Sequence, residues 1–212
     1  MPDGAPMSGF LGVVWPVRDG AGRPLVLKIH SGYWGADGEG LALDVARGPA
    51  LVELVQYEPA ANALLLERLD HERRLAGLAD VDAACGVIGD LVAQISSHHA
   101  PPGMRLMADE LERIRGTILE KLETAADALP RPLVDRALDT LAGLSAELRS
   151  ASGPLPLVHG DCHYENVLHT LSVEPPRWVA IDPLPMAGYP ELEVVAALRG
   201  RWADAAATDN PE

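Results

Sequence analysis

The chain has 212 residues, 48% of them hydrophobic and only 4% aromatic, so a core of mostly Leu, Val and Ala fills one large domain or two small lobes. The formal net charge of -14 argues against a nucleic-acid backbone as the main partner and suits a small cationic substrate, although acidic surfaces also simply aid solubility. Two cysteines far apart, Cys85 and Cys162, fit no disulfide framework. With no basic-then-apolar leader and no apolar run of membrane-spanning length, these features predict a protein of the reducing cytoplasm that does not engage a membrane.

In chain order, residues 1 to about 9 are turn-formers and are expected to be poorly ordered. Phe10 to Val17 reads as a strand, Asp19-Gly20-Ala21-Gly22 as a hairpin turn and Leu25 to Ile29 as the return strand. Lys28 is the single charge in that apolar run, and both a solvent-facing edge lysine and a phosphate-binding lysine fit it. After a loop with Gly32, Tyr33, Trp34, Gly35 and Gly38, Glu39 opens a helix to about Ala46, which Gly48-Pro49 stops. An acid there also suits the helix N-terminus on electrostatic grounds alone. Leu51 to Gln56 and Ala63 to Leu66 read as two more strands, giving a small, mostly β lobe over residues 1–69.

The remainder, 70–212, reads as mainly helical. Asp80 is the expected N-cap of a helix with apolar residues at Val81, Ala84, Val87, Ile88, Leu91, Val92 and Ile95. His98 and His99 read as partners of its C-terminal dipole. Two further helices are expected over about 108–128 and 132–148, and another after the turn Gly188-Tyr189-Pro190. The tail from Ala205 is expected to fray.

The chemistry concentrates in His159-Gly160-Asp161-Cys162-His163-Tyr164-Glu165-Asn166, flanked by apolar pairs, and in Asp182 at the end of the apolar run Trp178-Val179-Ala180-Ile181. The pattern His-x-Asp-x-x-x-x-Asn matches a kinase catalytic loop, with Gly160 where protein kinases carry Arg. Phosphotransfer needs one Asp at the acceptor hydroxyl, an Asn five residues on for a metal, and a second Asp after the next strand. A zinc-hydrolase site from His159, Asp161, His163 and Glu165, alternating on a strand with Cys162 nearby, is a rival that leaves Asn166 and Asp182 without a role.

His159 to Leu168, followed by Trp178 to Pro183, resembles the aminoglycoside phosphotransferases, most closely the branch of streptomycin kinases and hydroxyurea-type resistance kinases. The resemblance implies an α+β, protein-kinase-like two-lobe fold, with a β lobe at 1–69 and a helical lobe carrying catalytic loop and metal site at 70–212. It implies ATP and Mg²⁺ as cofactors and phosphorylation of a hydroxyl on a small molecule such as streptomycin. Asp161 would be the catalytic carboxylate, Asn166 and Asp182 the metal ligands, Lys28 the phosphate anchor held by Glu39, and Glu67 to Leu69 the edge of the adenine pocket. His159 is expected to hydrogen-bond beneath the loop.

Three departures qualify the resemblance. The chain begins inside the phosphate-covering hairpin, so the first strand of the small lobe is expected to be missing. Ser8 to Gly12 is not a G-x-G-x-x-G loop. The chain also stops soon after the helix that follows Asp182, where relatives continue into the acceptor pocket. Finally, Tyr189 stands where relatives carry an Asp that braces the catalytic loop. An impaired kinase-like protein that binds nucleotide or ligand without turnover is therefore the alternative. A homodimer is the arrangement expected to cover any apolar face that a shortened lobe exposes.

Overall fold

The computed structural model describes residues 1–8, 12–31, 38–125, 129–171 and 175–201. Six elements open the chain: β1 (Met7–Ser8), β2 (Gly12–Arg18), β3 (Pro24–His30), α1 (Glu39–Val45), β4 (Leu54–Glu58) and β5 (Ala63–Glu67). The strands form one sheet in the order β1-β2-β3-β5-β4, with every neighbouring pair antiparallel. The β2–β3 turn is held by Asp19, whose Oδ1 accepts from the amides of Ala21 and Arg23, both at 2.9 Å. Strand alternation turns Lys28 and His30 to the buried side and Ile29 to solvent. Helix α1 covers that side by close approach. Gly40 lies against the Tyr57 ring, where a Cβ would come within 2.6 Å.

The start of the chain differs from the expectation of disorder. Residues 1–8 run antiparallel to β2, with Asp3 N donating to Pro16 O and Arg18 N donating to Met1 O, both at 2.8 Å. The open edge of β2 supplies partners that a Pro- and Gly-rich segment does not advertise. Arg68 then locks the arrangement, donating to Asp3 Oδ2 (2.8 Å), Val17 O (2.7 Å) and Leu25 O (3.1 Å). Residues 9–11, which include the expected strand start at Phe10 and part of the Ser8 to Gly12 stretch, lie outside the described residues. The Gly32 to Gly35 loop, the last residues of the helix expected to reach 128, and the tail from Ala205 lie outside them too.

The chain continues with β6 (Leu69–Arg74), α2 (Val81–Ser96), α3 (Met107–Thr124), α4 (Arg131–Ser150), β7 (Leu157–Val158), β8 (Val167–Thr170), β9 (Trp178–Ala180), β10 (Met186–Ala187) and α5 (Val194–Gly200). Asp80 caps α2 through Ala83 N at 3.0 Å. The buried residues Ala84, Ile88, Leu91 and Ile95 form the helix's core stripe. The helix ends at Ser96; beyond it Leu157 N donates to His98 O at 2.8 Å and His99 bridges Pro156. The fourth strand's ladder starts at Leu54, later than expected, because Leu51 bridges Ala180 instead.

That bridge carries structural weight. Val52 N donates to Ala180 O and Ala180 N to Ala50 O, at 3.0 and 2.8 Å, joining the end of β9 to the chain after α1. One apolar core then runs from α1 and β5 through α2 to β8 and β9. A second, smaller one joins α3 and α4 to Val158 and Met186. The three-stranded sheet β6-β8-β9 and the pair β10-β7 thus hold the loops on either side of β8 and β9 against the first sheet. No helix among the described residues is long and apolar enough to cross a membrane.

Arg68→Ala removes three bonds that tie the N-terminal segment to the sheet. The expected cost is about 1.5–3 kcal/mol in denaturant unfolding, together with faster exchange of the Asp3 and Arg18 amides in native-state hydrogen exchange. Unchanged exchange at those two amides would show that the segment is held by other means.

Candidate active site

The loop between β7 and β8 is shaped by a glycine and a histidine. Gly160 has φ 83°, and a Cβ there would stand 2.2 Å from Leu184 O. No other residue fits, so the position that holds Arg in protein kinases cannot do so here. His159 is buried, its Nδ1 accepting from Asp161 N at 3.2 Å while Nε2 donates to Ile181 O at 3.1 Å. Burial pushes its pKa below the usual histidine value, against the raising pull of nearby carboxylates. The ring is a neutral spacer between the loop and the end of β9.

Asp161 and Asn166 come together across one turn of 3₁₀ helix, Tyr164–Asn166. Asn166 Nδ2 donates to Asp161 O at 3.0 Å and to Asp161 Oδ2 at 3.1 Å. Its amide oxygen is thereby left for another partner. His163 stands on the other side of the carboxylate, Nε2 3.5 Å from Asp161 Oδ2, and this neighbour raises its pKa.

Lys28, Glu39 and Asp182 form the second group. Lys28 Nζ lies 2.6 Å from Glu39 Oε2 and 2.9 Å from Asp182 Oδ1. Lys28 and Glu39 are buried, whereas the Asp182 side chain is 43% exposed. Burial alone would push the ammonium's pKa down, but the two carboxylates outweigh it and hold it above the ordinary lysine value. Asp182 adopts φ 57°, a left-handed conformation that costs a non-glycine residue about 1–2 kcal/mol and turns its carboxylate to the lysine.

A cavity of about 530 Å³ opens between the two sheets, a size suited to a small ligand. Lys28, Glu67, Leu69, Asn166 and Asp182 line it, among apolar walls that include Val14, Val26, Val52, Leu66, Leu168 and Ile181. Glu39 sits behind Lys28 and does not line the cavity, and Asp161 stands outside its lining, tied to it through Asn166. At its edge, Glu67 has both its amide and its carboxylate engaged with Glu53. The main chain of Arg68 lies between β5 and β6, in neither ladder.

One residue not singled out from the sequence completes the loop. Glu193 is buried; its Oε1 accepts from Gly160 N and its Oε2 from Cys162 N at 3.3 Å. It supplies the brace that Tyr189 lacks, while Tyr189 OH donates to Glu147 on α4 at 2.8 Å. The zinc arrangement has no counterpart among the described residues. His159, Asp161, His163 and Glu165 are not on one strand, and no group of three or more His, Cys, Asp or Glu side chains converges on a metal. Burial, and then the charges of Glu193 and Asp161, push the Cys162 thiol up to about 12, so it is no thiolate ligand at neutral pH.

A five-stranded antiparallel sheet with one helix, a mainly helical second lobe, and paired Lys–Glu and Asp–Asn groups at the cleft define a protein-kinase-like, two-lobe α+β fold. The chain belongs to the aminoglycoside/hydroxyurea antibiotic resistance kinase family, whose sequence model matches residues 1–210. It is 38% identical over 202 residues to streptomycin 6-kinase of Streptomyces glaucescens, covering 95% of this chain and 63% of that protein. It is 34% identical over 197 residues to hydroxyurea phosphotransferase of Kitasatospora aureofaciens, covering 92% of this chain and 56% of the relative. The chain thus spans somewhat under two thirds of the length of these relatives. Among solved structures, a thermostable mutant of an aminoglycoside phosphotransferase in ternary complex with ADP and hygromycin B superposes with a TM-score of 0.57 at 20% identity, over 91% of this chain and 70% of that one. A choline/ethanolamine kinase family protein from Mesorhizobium loti gives 0.54 at 18%, over 93% and 64%.

Two measurements check the electrostatics. In an NMR titration the rings of His159 and His163 are expected to move oppositely: His159 stays neutral below the ordinary value near 6.5, while His163 stays charged above it. With iodoacetamide at about pH 8, near the ordinary thiol pKa, the native chain is expected to label at exposed Cys85 alone, and at Cys162 only once unfolded.

Proposed function

We propose that this chain is an ATP-dependent small-molecule kinase, with residues 1–69 as the nucleotide lobe and 70–212 as the lobe carrying the catalytic loop and metal site. The observation that carries the reading is the meeting of Lys28 with Asp182 at the cavity where Asn166, bonded to Asp161, also stands. The apolar walls suit an adenine ring, with Glu67 to Leu69 at its edge. Lys28, steadied by Glu39, faces the phosphates.

Asn166 Oδ1 and the half-exposed carboxylate of Asp182 are hard oxygen donors on one cavity wall, the donor chemistry that fits Mg²⁺. When bound, the ion would neutralise charge on the nucleotide phosphates. Asp161, half-exposed, has Oδ2 held by Asn166. Its other oxygen is left to orient the acceptor hydroxyl and receive its proton. His159 and Glu193 fix the loop from beneath, so the groups need little rearrangement for transfer.

The acceptor is proposed to be a hydroxyl of an aminoglycoside such as streptomycin, on the strength of the named activity of the Streptomyces relative and the net charge of -14, which favours a cationic substrate. Cys85 and Cys162 remain free thiols, in keeping with a proposed cytoplasmic setting. The alternative, binding without turnover, drew on the shortened ends and on the missing brace at position 189, and the bonds of Glu193 to the loop answer the second of these.

The decisive experiment is Mg²⁺-dependent ADP release by the purified chain with and without streptomycin. Streptomycin-stimulated release is expected, with Asp161→Asn lowering kcat by about 10²–10⁴-fold while Mg·ATP still shifts the melting temperature. Nucleotide binding without release under any aminoglycoside would favour the binding-only alternative. Release unaffected by Asp161→Asn would remove that residue from the chemistry.

A further inference from the structure

Strand alternation puts His30 on the same buried face of β3 as Lys28, two residues away. Its main chain is fixed on both sides. His30 N donates to Asn62 O at 2.9 Å, and the residue pairs with Gly12 in β2, where any Cβ would meet Ile29 O at 2.1 Å. From this pinned position Nε2 reaches 2.8 Å from Glu39 Oε2, the same oxygen that lies 2.6 Å from Lys28 Nζ. The histidine side chain is 5% exposed and the glutamate 1%.

The contact is close but misaligned. Among the described residues neither ring nitrogen of His30, nor Glu39 Oε1, has a well-directed hydrogen bond. Buried polar atoms are rarely left so, because each lost bond costs free energy. The unmet capacity lies beside the nucleotide lysine. It belongs to a residue with no part in the arrangement described above, in which Glu39 alone steadies Lys28.

We infer that His30 is a positioning residue, resting on the kinase reading: it is a second holder of the Glu39 carboxylate. Lys28 divides its three N–H bonds between Glu39 and Asp182 in the structure. When the ammonium turns toward phosphate oxygens, its hold on Glu39 weakens, and a buried carboxylate losing its cation is costly. A small rotation of the His30 ring brings Nε2–H into line with Oε2, so the carboxylate keeps a donor and α1 keeps its place. His30 thus lowers the cost of engaging nucleotide without touching it.

The test is calorimetric titration of Mg·ATP into the wild type, His30→Leu and His30→Gln, each with and without Glu39→Gln, with circular dichroism to verify folding. His30→Leu is expected to weaken Mg·ATP about tenfold, the scale of coupling between residues in contact. His30→Gln, whose amide N–H replaces Nε2–H, stays within about twofold of the wild type. In the Glu39→Gln background the leucine change is expected to add nothing. Should His30→Leu not fold, His30→Asn, too short to reach Oε2, takes its place. Wild-type affinity in His30→Leu, failure of glutamine to rescue, or additive effects with Glu39→Gln would each overturn the inference. The same variants are unfolded in denaturant without nucleotide. If the wild type binds no Mg·ATP, that result overturns the kinase reading on which the role rests. Coupling of His30 to Glu39 in the unfolding series then supports the contact alone, and additivity there overturns the contact as well.

Discussion

The Lys28 ammonium is the point on which the rest of the structure depends. It is a cation buried under a sheet, and it survives there because two carboxylates reach it from elsewhere in the chain, Glu39 eleven residues on and Asp182 after β9. Buried ion pairs add little net stability, since desolvation offsets most of the attraction, but removing one partner costs about 3–5 kcal/mol. The elements that deliver the carboxylates are therefore committed to it. Helix α1 must lie close enough for Glu39 to arrive, which Gly40 permits against Tyr57. The end of β9 must stay joined to the chain after α1, which the Ala50, Val52 and Ala180 backbone bonds secure.

The loop between β7 and β8 follows a parallel logic with backbone donors in place of a cation. Gly160 turns left-handed under Leu184, exposing its N–H and, two residues on, that of Cys162 to one buried acceptor. Glu193 fills that role from the 3₁₀ turn before α5, and its position depends on the turn at Tyr189-Pro190. An acid displaced four residues from the expected brace does the same work, because the loop requires a carboxylate in that place and not a particular route of chain to it. His159 meets the remaining need, linking the loop to Ile181 just before Asp182. The two halves of the site are thus one hydrogen-bonded unit.

Much of this was legible in the sequence because it is written locally. The interval from Asp161 to Asn166 sets a short turn, a lone lysine in an apolar strand stands out, and Asp80 before a periodic run announces a helix. What stayed hidden depends on contacts distant in sequence. The pairing of residues 1–8 with β2 comes from an open strand edge and Arg68, while the segment's own Pro2, Gly4 and Pro6 speak against a strand. Strand β6 reads Leu-Asp-His-Glu-Arg-Arg, polar and mostly exposed, so no apolar pattern marks it. Glu191 and Glu193 are two acids two residues apart, one exposed and one buried, and only the fold separates them. His30 did carry a signal, its two-residue offset from Lys28, but alternation becomes informative only once the lysine's face is known to be the buried one.

Burial separates the carboxylates by task. Glu39 is enclosed, holds its place and never meets the cavity. Asp182 is open on one side, so its bond to Lys28 can be exchanged at modest desolvation cost. Asp161 is comparably open and rests on the neutral amide of Asn166, which directs it without neutralising it. A lysine held between one fixed and one replaceable partner keeps its charge and position while half of its bonding is released. The buried carboxylate accordingly lies on the helix of the first lobe, and the exchangeable one at the turn after β9, lining the cavity.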